Sequence, residues 1–245
     1  MFPIRDHNPS ERTPYVTIGL IFLNVVMFLL TMPWAGGMVE LWERLALYPV
    51  AVVNGYNMWG LVTHMFLHAG LMHIAGNMLF LWIFGDNLED QMGHLGFLVF
   101  YLACGLAAAG AQIAANPNEG IPMVGASGAI AGVMGGYLLL FPKARVDVLF
   151  IFIIFFRIFA IPAWIVLGIW LALQIFSGVA TPTDAGGVAY WAHVGGFVAG
   201  LVLTLPAWLR RGGQGYWQRT EGHPPHPETH FEASRSNVPL IRRRR

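Results

Sequence analysis

Long apolar stretches without any charged residue dominate the chain. Six of them approach the roughly 20 residues that a helix rising about 1.5 Å per residue needs to cross the hydrocarbon core of a bilayer. They cover residues 15–32, 58–84, 95–115, 123–141, 161–177 and 188–209. The pattern therefore predicts an all-α, polytopic membrane protein, built as a bundle of six transmembrane helices.

Residues 148–160 form an apolar stretch whose structure is ambiguous. The stretch is rich in Phe, but it contains Arg157 and is followed by Pro162. Alone it is too short to span a bilayer as a helix. We expect an interfacial or re-entrant segment that leads into the fifth helix.

Basic residues orient the predicted bundle, because Lys and Arg concentrate on the cytoplasmic side of a membrane. If the N-terminus is inside, Arg44 alone among the 14 Lys and Arg lies outside. Both termini are then cytoplasmic. The predicted membrane domain covers residues 15–209, and it is flanked by a cytoplasmic segment, 1–14, and a cytoplasmic tail, 210–245. The tail is polar, rich in Pro and His, and ends in four arginines, which is typical of a disordered segment.

Composition supports a membrane protein and excludes other classes. The chain is 56% hydrophobic and only 11% charged, which is too few charges for a water-facing surface. A formal net charge of +1 argues against nucleic acid as a partner. The single cysteine, Cys104, excludes an intramolecular disulfide and a cysteine-based metal cluster.

Polar side chains inside the predicted spans are the candidates for chemistry, since each is costly in hydrocarbon and normally faces protein or water. The fourth span opens with Ser127 in a glycine-rich segment, and the sixth has His193 near its outer end. The second span carries a cluster of such residues: His64, His68, His73 and Asn77.

Ser127 and His193 are predicted to lie at the same depth. They are 16 and 17 residues from the charges that mark the inner boundary, or about 24 to 26 Å, and His73 lies at about 20 Å. Small residues let helix backbones approach closely. The candidate close-packing glycines are Gly125, Gly128, Gly132, Gly136, Gly196 and Gly200. A serine and a histidine on such helices form a possible nucleophile and base, and without an acid in any span the pair would be a dyad.

Simpler interpretations remain open at this point. A serine in a glycine-rich helix often only packs, and an intramembrane histidine often only joins two helices by a hydrogen bond. A metal site on His64, His68 and His73 is another alternative, although His73 falls off the face that the other two share. A transporter is a further one, but no inverted repeat and no acid for a proton relay is evident.

The motifs around these residues resemble those of the rhomboid intramembrane serine proteases, in particular the six-helix prokaryotic form. The resemblance covers about residues 15–209. Its motifs are H-x-x-x-x-H-x-x-x-N at 68–77, F-G-D-N-L-E at 84–89, G-A-S-G at 125–128 and A-H-x-x-G-x-x-x-G at 192–200.

The resemblance implies an endopeptidase that hydrolyses peptide bonds in or near the transmembrane segments of membrane-anchored protein substrates. Ser127 would be the nucleophile and His193 the general base, and the oxyanion would be held by the Ser127 N–H with the side chains of His73 and Asn77. The resemblance also implies a prokaryotic plasma (inner) membrane and no metal or organic cofactor. The alternative is a non-catalytic rhomboid-like protein that binds membrane helices, although such relatives have lost the serine or the histidine.

The sequence departs from the family pattern at two positions. Trp59 is followed by Gly60, where some members have arginine, and Ala131 stands where members often have an aromatic ring beneath the catalytic histidine. His193 must therefore be oriented by other neighbours.

Two further segments are expected to serve the site. The irregular loop 116–126 should dip into the membrane beside a water-filled cavity, since such backbone needs protein or water as a partner. The fifth helix and its lead-in form a candidate gate for lateral substrate access. The lead-in phenylalanines are Phe150, Phe152, Phe155, Phe156 and Phe159.

Overall fold

The structure, a computed structural model, describes residues 2–31, 39–152, 155–182, 187–225 and 227–229. Most of this part is helical. The α-helices are α1 (Tyr15–Thr31), α2 (Val39–Leu45), α3 (Pro49–Val53), α4 (Gly60–Thr63), α5 (Leu71–Met92), α6 (His94–Ala115), α7 (Ser127–Leu140), α8 (Ala163–Ala180), α9 (Tyr190–Arg210) and α10 (Gln214–Thr220), with a 3₁₀ turn at His64–Phe66. The strands are β1 (Phe2–Asp6), β2 (Arg145–Phe152) and β3 (Phe155–Pro162).

Three of the described helices are long and apolar enough to cross a membrane: α6, α8 and α9, with 22, 18 and 21 residues. A fourth span results if α5 is joined to the helical turns before it. The apolar helices α1 and α7 have only 17 and 14 residues. Length and composition thus give three or four spans among the described residues, where the sequence predicts six. Protein encloses α7, which buries 11 of its 14 residues, and a helix without lipid contact need not match the bilayer thickness.

The second predicted span, 58–84, is bent rather than straight. The 3₁₀ turn ends at Phe66, and the backbone of the next residue, Leu67, is extended, with φ −106° and ψ 149°. The next helix, α5, starts at Leu71 and runs at 93° to the preceding turns. As a result, His73 and Asn77 fall in the first two turns of α5, where side chains four residues apart share a face.

The described residues of the expected lead-in to the fifth helix, 148–152 and 155–160, form strands, and the second strand runs directly into α8. They belong to an antiparallel hairpin in which β2 pairs with β3 from Arg145 opposite Pro162 to Phe152 opposite Phe155, and β1 pairs with the other edge of β2. A run of β-branched and aromatic residues favours strands, and a short apolar run cannot be assigned to helix or strand from its pattern alone. The fold is therefore mostly helical with a small sheet, rather than all-α.

Part of the predicted disordered tail is folded. Its residues 214–220 form α10, in which Tyr216 is buried. The Trp217 indole N–H donates to the Leu139 carbonyl at the end of α7 (3.0 Å), and its ring lies 4.9 Å from that of Trp208. Aromatic contacts of this kind supply the apolar burial that orders a short helix. Residues 230–245, which include the final arginines, lie outside the described residues.

The Glu89 side chain ties the end of α5 to the start of α1. Its two carboxylate oxygens accept hydrogen bonds from the Val16 and Thr17 amides and from the Thr17 hydroxyl, each 2.8 Å long. His94 also bonds to this carboxylate. The first N–H groups of a helix have no intrahelical acceptor, so Glu89 acts as the missing N-terminal cap of α1.

The central helix α7 packs closest against α9. A methyl group added at Gly196 would overlap the carbonyl oxygen of Gly128, and one added at Gly200 would overlap that of Gly132. A methyl group added at Gly136 would lie 2.6 Å from the hydroxyl oxygen of Thr204 on α9. These contacts bring the two backbones together along the helices that carry Ser127 and His193.

Candidate active site

Ser127 is the first residue of α7. Just before it, Gly125 has a φ of +129°, a conformation that favours glycine, and a Cβ added there would lie 2.8 Å from His73 Nε2. The Gly125 amide donates to the His64 carbonyl (2.9 Å). The same added Cβ would lie 3.5 Å from Ser127 Oγ, so the turn places the Ser127 hydroxyl near His73, with the free amides of the first helical turn beside it.

Backbone hydrogen bonds fix the loop that leads into this turn. Met123 and Leu47 exchange two of them, 3.1 and 2.7 Å long, in an isolated bridge. The Val50 amide donates to the Glu119 carbonyl (3.1 Å), and Gln112 Nε2 donates to the Glu119 carboxylate (3.0 Å). The loop thus finds protein partners for part of its backbone, which irregular structure needs wherever water is excluded.

Ser127 and His193 are joined directly. His193 Nε2 lies 2.7 Å from Ser127 Oγ, within the distance of a hydrogen bond between a nucleophile and its base. The two residues are 66 positions apart in sequence, and the glycine contacts between α7 and α9 bring them together.

The other side of the His193 ring contacts α8. Its Nδ1 lies 2.8 Å from Gln174 Oε1, and its ring lies 5.6 Å from that of Trp170, at an interplanar angle of 37°. Trp170 thus supplies an aromatic neighbour that Ala131 cannot. Sequence reasoning did not predict Gln174 as a site residue. The signal was present, because a lone amide inside the apolar run 161–177 is the same kind of feature that singled out the histidines.

His73 and Asn77 lie across from Ser127. The Ala69 amide donates to His73 Nδ1 (3.4 Å), which leaves Nε2 to carry the ring proton. Asn77 is buried, and its Nδ2 has no hydrogen-bond partner among the described residues. An unpaired buried amide costs roughly 1 to 3 kcal/mol, so these donors are available for a ligand with an acceptor oxygen.

A cavity of about 670 Å³ connects these groups. Its lining comes from α5, α7, α9, the loop before α7 and Trp170 of α8. Its polar lining includes His64, His73, Asn77, Ser127 and His193. The predicted nucleophile, base and oxyanion donors therefore share one space, large enough for an extended peptide segment.

The other two histidines of the cluster, His64 and His68, lie beside the site and have contacts of their own. His64 Nδ1 lies 2.8 Å from the Gly60 carbonyl, and the His68 and His73 rings contact each other edge to face, 5.1 Å apart. In the described parts of the chain, no three His, Cys, Asp or Glu side chains are grouped so that they could hold a metal ion.

Comparisons with known proteins place the chain in a family. The Rhomboid domain model matches residues 55–210, which include every residue of the site. Among curated relatives, the RHOMBOID-like protein 6, mitochondrial, of Arabidopsis thaliana is 41% identical over 87 residues, 36% of this chain and 28% of that protein. The putative rhomboid protease YdcA of Bacillus subtilis is 33% identical over 126 residues, 51% of this chain and 61% of YdcA.

A second Bacillus subtilis relative, the rhomboid protease GluP, is 41% identical over 80 residues, 33% of this chain and 15% of GluP. The matched regions thus span less than two thirds of each of these relatives. The domain match and the apolar helices make the chain an integral membrane protein, and the named relatives support a protease in general. The chain belongs to the rhomboid family.

Proposed function

We propose that this protein is an intramembrane serine endopeptidase in which Ser127 and His193 form the catalytic dyad. The observation that carries the proposal is the 2.7 Å contact between His193 Nε2 and Ser127 Oγ, beside a cavity that also holds an unpaired buried amide, Asn77 Nδ2. Nucleophile, base and unpaired donors around one space are the parts that acyl transfer needs.

In the proposed mechanism, Ser127 Oγ attacks the scissile carbonyl carbon while its proton moves to His193 Nε2. The resulting oxyanion accepts hydrogen bonds from the Ser127 amide, His73 Nε2 and Asn77 Nδ2. The C–N bond then breaks, and His193 returns the proton to the leaving amine. His193 then takes a proton from a water molecule, which attacks the acyl-enzyme carbonyl. The proton returns to Ser127 Oγ, and the new carboxyl terminus is released.

The surroundings of the cavity support membrane-anchored proteins as the proposed substrate class. Because α5 and α8 border it, an apolar helix of a membrane-anchored protein would arrive between them, and its unwound end would reach Ser127. We propose α8 and the β2–β3 hairpin as the gate. Phe156 and Phe159 of the hairpin are exposed, which supports contact with lipid or with a substrate helix. If a crosslink that locks α8 to α5 left cleavage unchanged, the gate would lie elsewhere.

The finer topology belongs to the same proposal. In it, α1, α5, α6, α7, α8 and α9 form a six-helix bundle in a prokaryotic plasma membrane, with both termini cytoplasmic. The distribution of Lys and Arg supports this orientation. The partners are the bilayer and membrane-anchored protein substrates, and the reaction as written uses no cofactor.

Cleavage of a transmembrane model substrate by the purified protein in lipid vesicles tests the proposal. Ser127→Ala and His193→Ala should each abolish cleavage, while Ser177→Ala, the same change on α8, should leave the rate within about twofold. Cleavage that survives in Ser127→Ala would contradict the proposed nucleophile. Binding of the substrate without cleavage by the folded wild-type protein would favour the non-catalytic binder.

A further inference from the structure

The α8 helix reaches the candidate catalytic base through two side chains one turn apart. Gln174 Oε1 lies 2.8 Å from His193 Nδ1, and the Trp170 ring is tilted by 37° against the imidazole. The same tryptophan ring also stacks on Phe197, one turn along α9 from His193 (6.2 Å). The imidazole is thus held from the side opposite Ser127.

The position of the Gln174 amide sets which atom of His193 carries the proton. Gln174 Nε2 lies 3.4 Å from the Trp170 carbonyl oxygen, which can only accept a hydrogen bond. The NH₂ group must therefore face that carbonyl, and the amide oxygen must face the imidazole. An oxygen at 2.8 Å requires a donor at Nδ1, so Nε2 is left unprotonated toward Ser127, as a general base must be.

We propose that Gln174 is a positioning residue, one that fixes the tautomer and orientation of His193 and takes the place that an acid holds in a catalytic triad. The inference rests on the proposed function, because it assigns a partner to the same base. During catalysis the Nδ1–H bond to Gln174 also stabilises the positive charge that His193 gains with the serine proton.

This role makes the docking of α8 a condition for catalysis. Of the described residues of α8, Ala163 and Leu167 near its start are fully buried, so the helix is lightly anchored elsewhere. Its contacts at Trp170 and Gln174 lie one and two turns further along. A substrate helix that enters between α5 and α8 must therefore leave residues 170–174 packed against α9. If it displaced them, His193 would lose its hydrogen bond to Gln174 before Ser127 attacks.

Three variants test the role of Gln174: Gln174→Leu removes the acceptor at similar volume, Gln174→Glu keeps an acceptor oxygen, and Gln91→Leu makes the same change at a distant glutamine that bonds Arg211. The measurements are kcat and KM for a transmembrane substrate and the rate of Ser127 labelling by a small fluorophosphonate, which bypasses substrate docking. Thermal unfolding in detergent checks that each variant is folded.

We expect Gln174→Leu to lower kcat and the labelling rate by about 10- to 100-fold, the range of a charge-assisted hydrogen bond, with KM within about twofold. Gln174→Glu should recover most of this loss, and Gln91→Leu should match the wild type. A folded Gln174→Leu with wild-type kcat, a change confined to KM, or a Gln174→Glu as slow as Gln174→Leu would overturn the inference. A wild-type protein that neither cleaves nor labels would instead overturn the proposed function.

Discussion

Replacement of Gly196 by alanine is the sharpest test of how the helices build the site. A methyl group at this position would overlap the carbonyl oxygen of Gly128, and it would lie 2.9 Å from the carbonyl carbon. Both atoms belong to the backbone of a buried helix, so neither can turn away as a flexible side chain would. The α7 and α9 backbones must separate locally to restore van der Waals distance.

The size of that separation determines how much catalytic rate and stability the variant should lose. Moving the overlapping atoms to ordinary contact distance takes on the order of 1 Å. The same displacement would stretch the Ser127–His193 contact from 2.7 Å beyond hydrogen-bond range. A misplacement of about 1 Å costs about 100-fold in rate, and overpacking costs about 1 to 3 kcal/mol of stability.

The assay compares Gly196→Ala with Gly19→Ala for cleavage rate, Ser127 labelling rate and unfolding midpoint in detergent. Gly19 is the matched control, because an added Cβ there meets nothing within 4 Å. We expect Gly196→Ala to lose about 100-fold in both rates and to unfold earlier, while Gly19→Ala keeps its rates. A Gly196→Ala protein with wild-type rates would refute the argument that this glycine contact sets the dyad distance.

Three further predictions concern other parts of the molecule. Asn77→Ala should lower kcat by about 100- to 1000-fold with little change in KM, because the donor acts on the oxyanion of the transition state. Glu89→Ala should lower the free energy of unfolding by about 1 to 3 kcal/mol in chemical denaturation, since it leaves two amides of α1 without their acceptor. Burial raises the pKa of Asp147, but hydrogen bonds from His7 and Arg5 outweigh it and hold that pKa below its usual range. The stabilising contribution of this carboxylate is therefore present at neutral pH and lost as pH falls below about 4.

Each of these three has an outcome that would contradict it. An Asn77→Ala enzyme whose KM rises while kcat is unchanged would make Asn77 a substrate-binding group instead. A Glu89→Ala protein as stable as the wild type would remove the capping role. For Asp147, the difference in unfolding free energy between wild type and Asp147→Asn should shrink at acidic pH, and a constant difference would count against the hydrogen-bonded carboxylate.

The sequence predicts the membrane class and the family, and both are confirmed by the Rhomboid match. Residue types and spacing are enough for this, because a histidine or asparagine in an apolar run is costly and its position is conspicuous. The contact between Ser127 and His193 also follows the prediction from depth and glycine spacing, while their chemical roles remain predictions.

The sequence predicts less well where neighbours decide the structure. Within the run 148–160, residues 148–152 pair with residues 155–159, and β1 pairs with the other edge of β2. No local pattern separates such strands from a short apolar helix. The break after the 3₁₀ turn lies within a stretch that has no charged residue to mark it. The role of Gln174 could not be predicted, because its own segment does not indicate that this side chain of α8 contacts His193 of α9.

The most direct test of the central claim is covalent labelling of the purified protein by a fluorophosphonate, with the labelled residue mapped by mass spectrometry. The proposed dyad predicts a label on Ser127 that disappears in Ser127→Ala and in His193→Ala, and that persists in Ser177→Ala. A folded wild-type protein that takes no label at Ser127, or a label that survives in His193→Ala at an undiminished rate, would contradict an activated serine at this site.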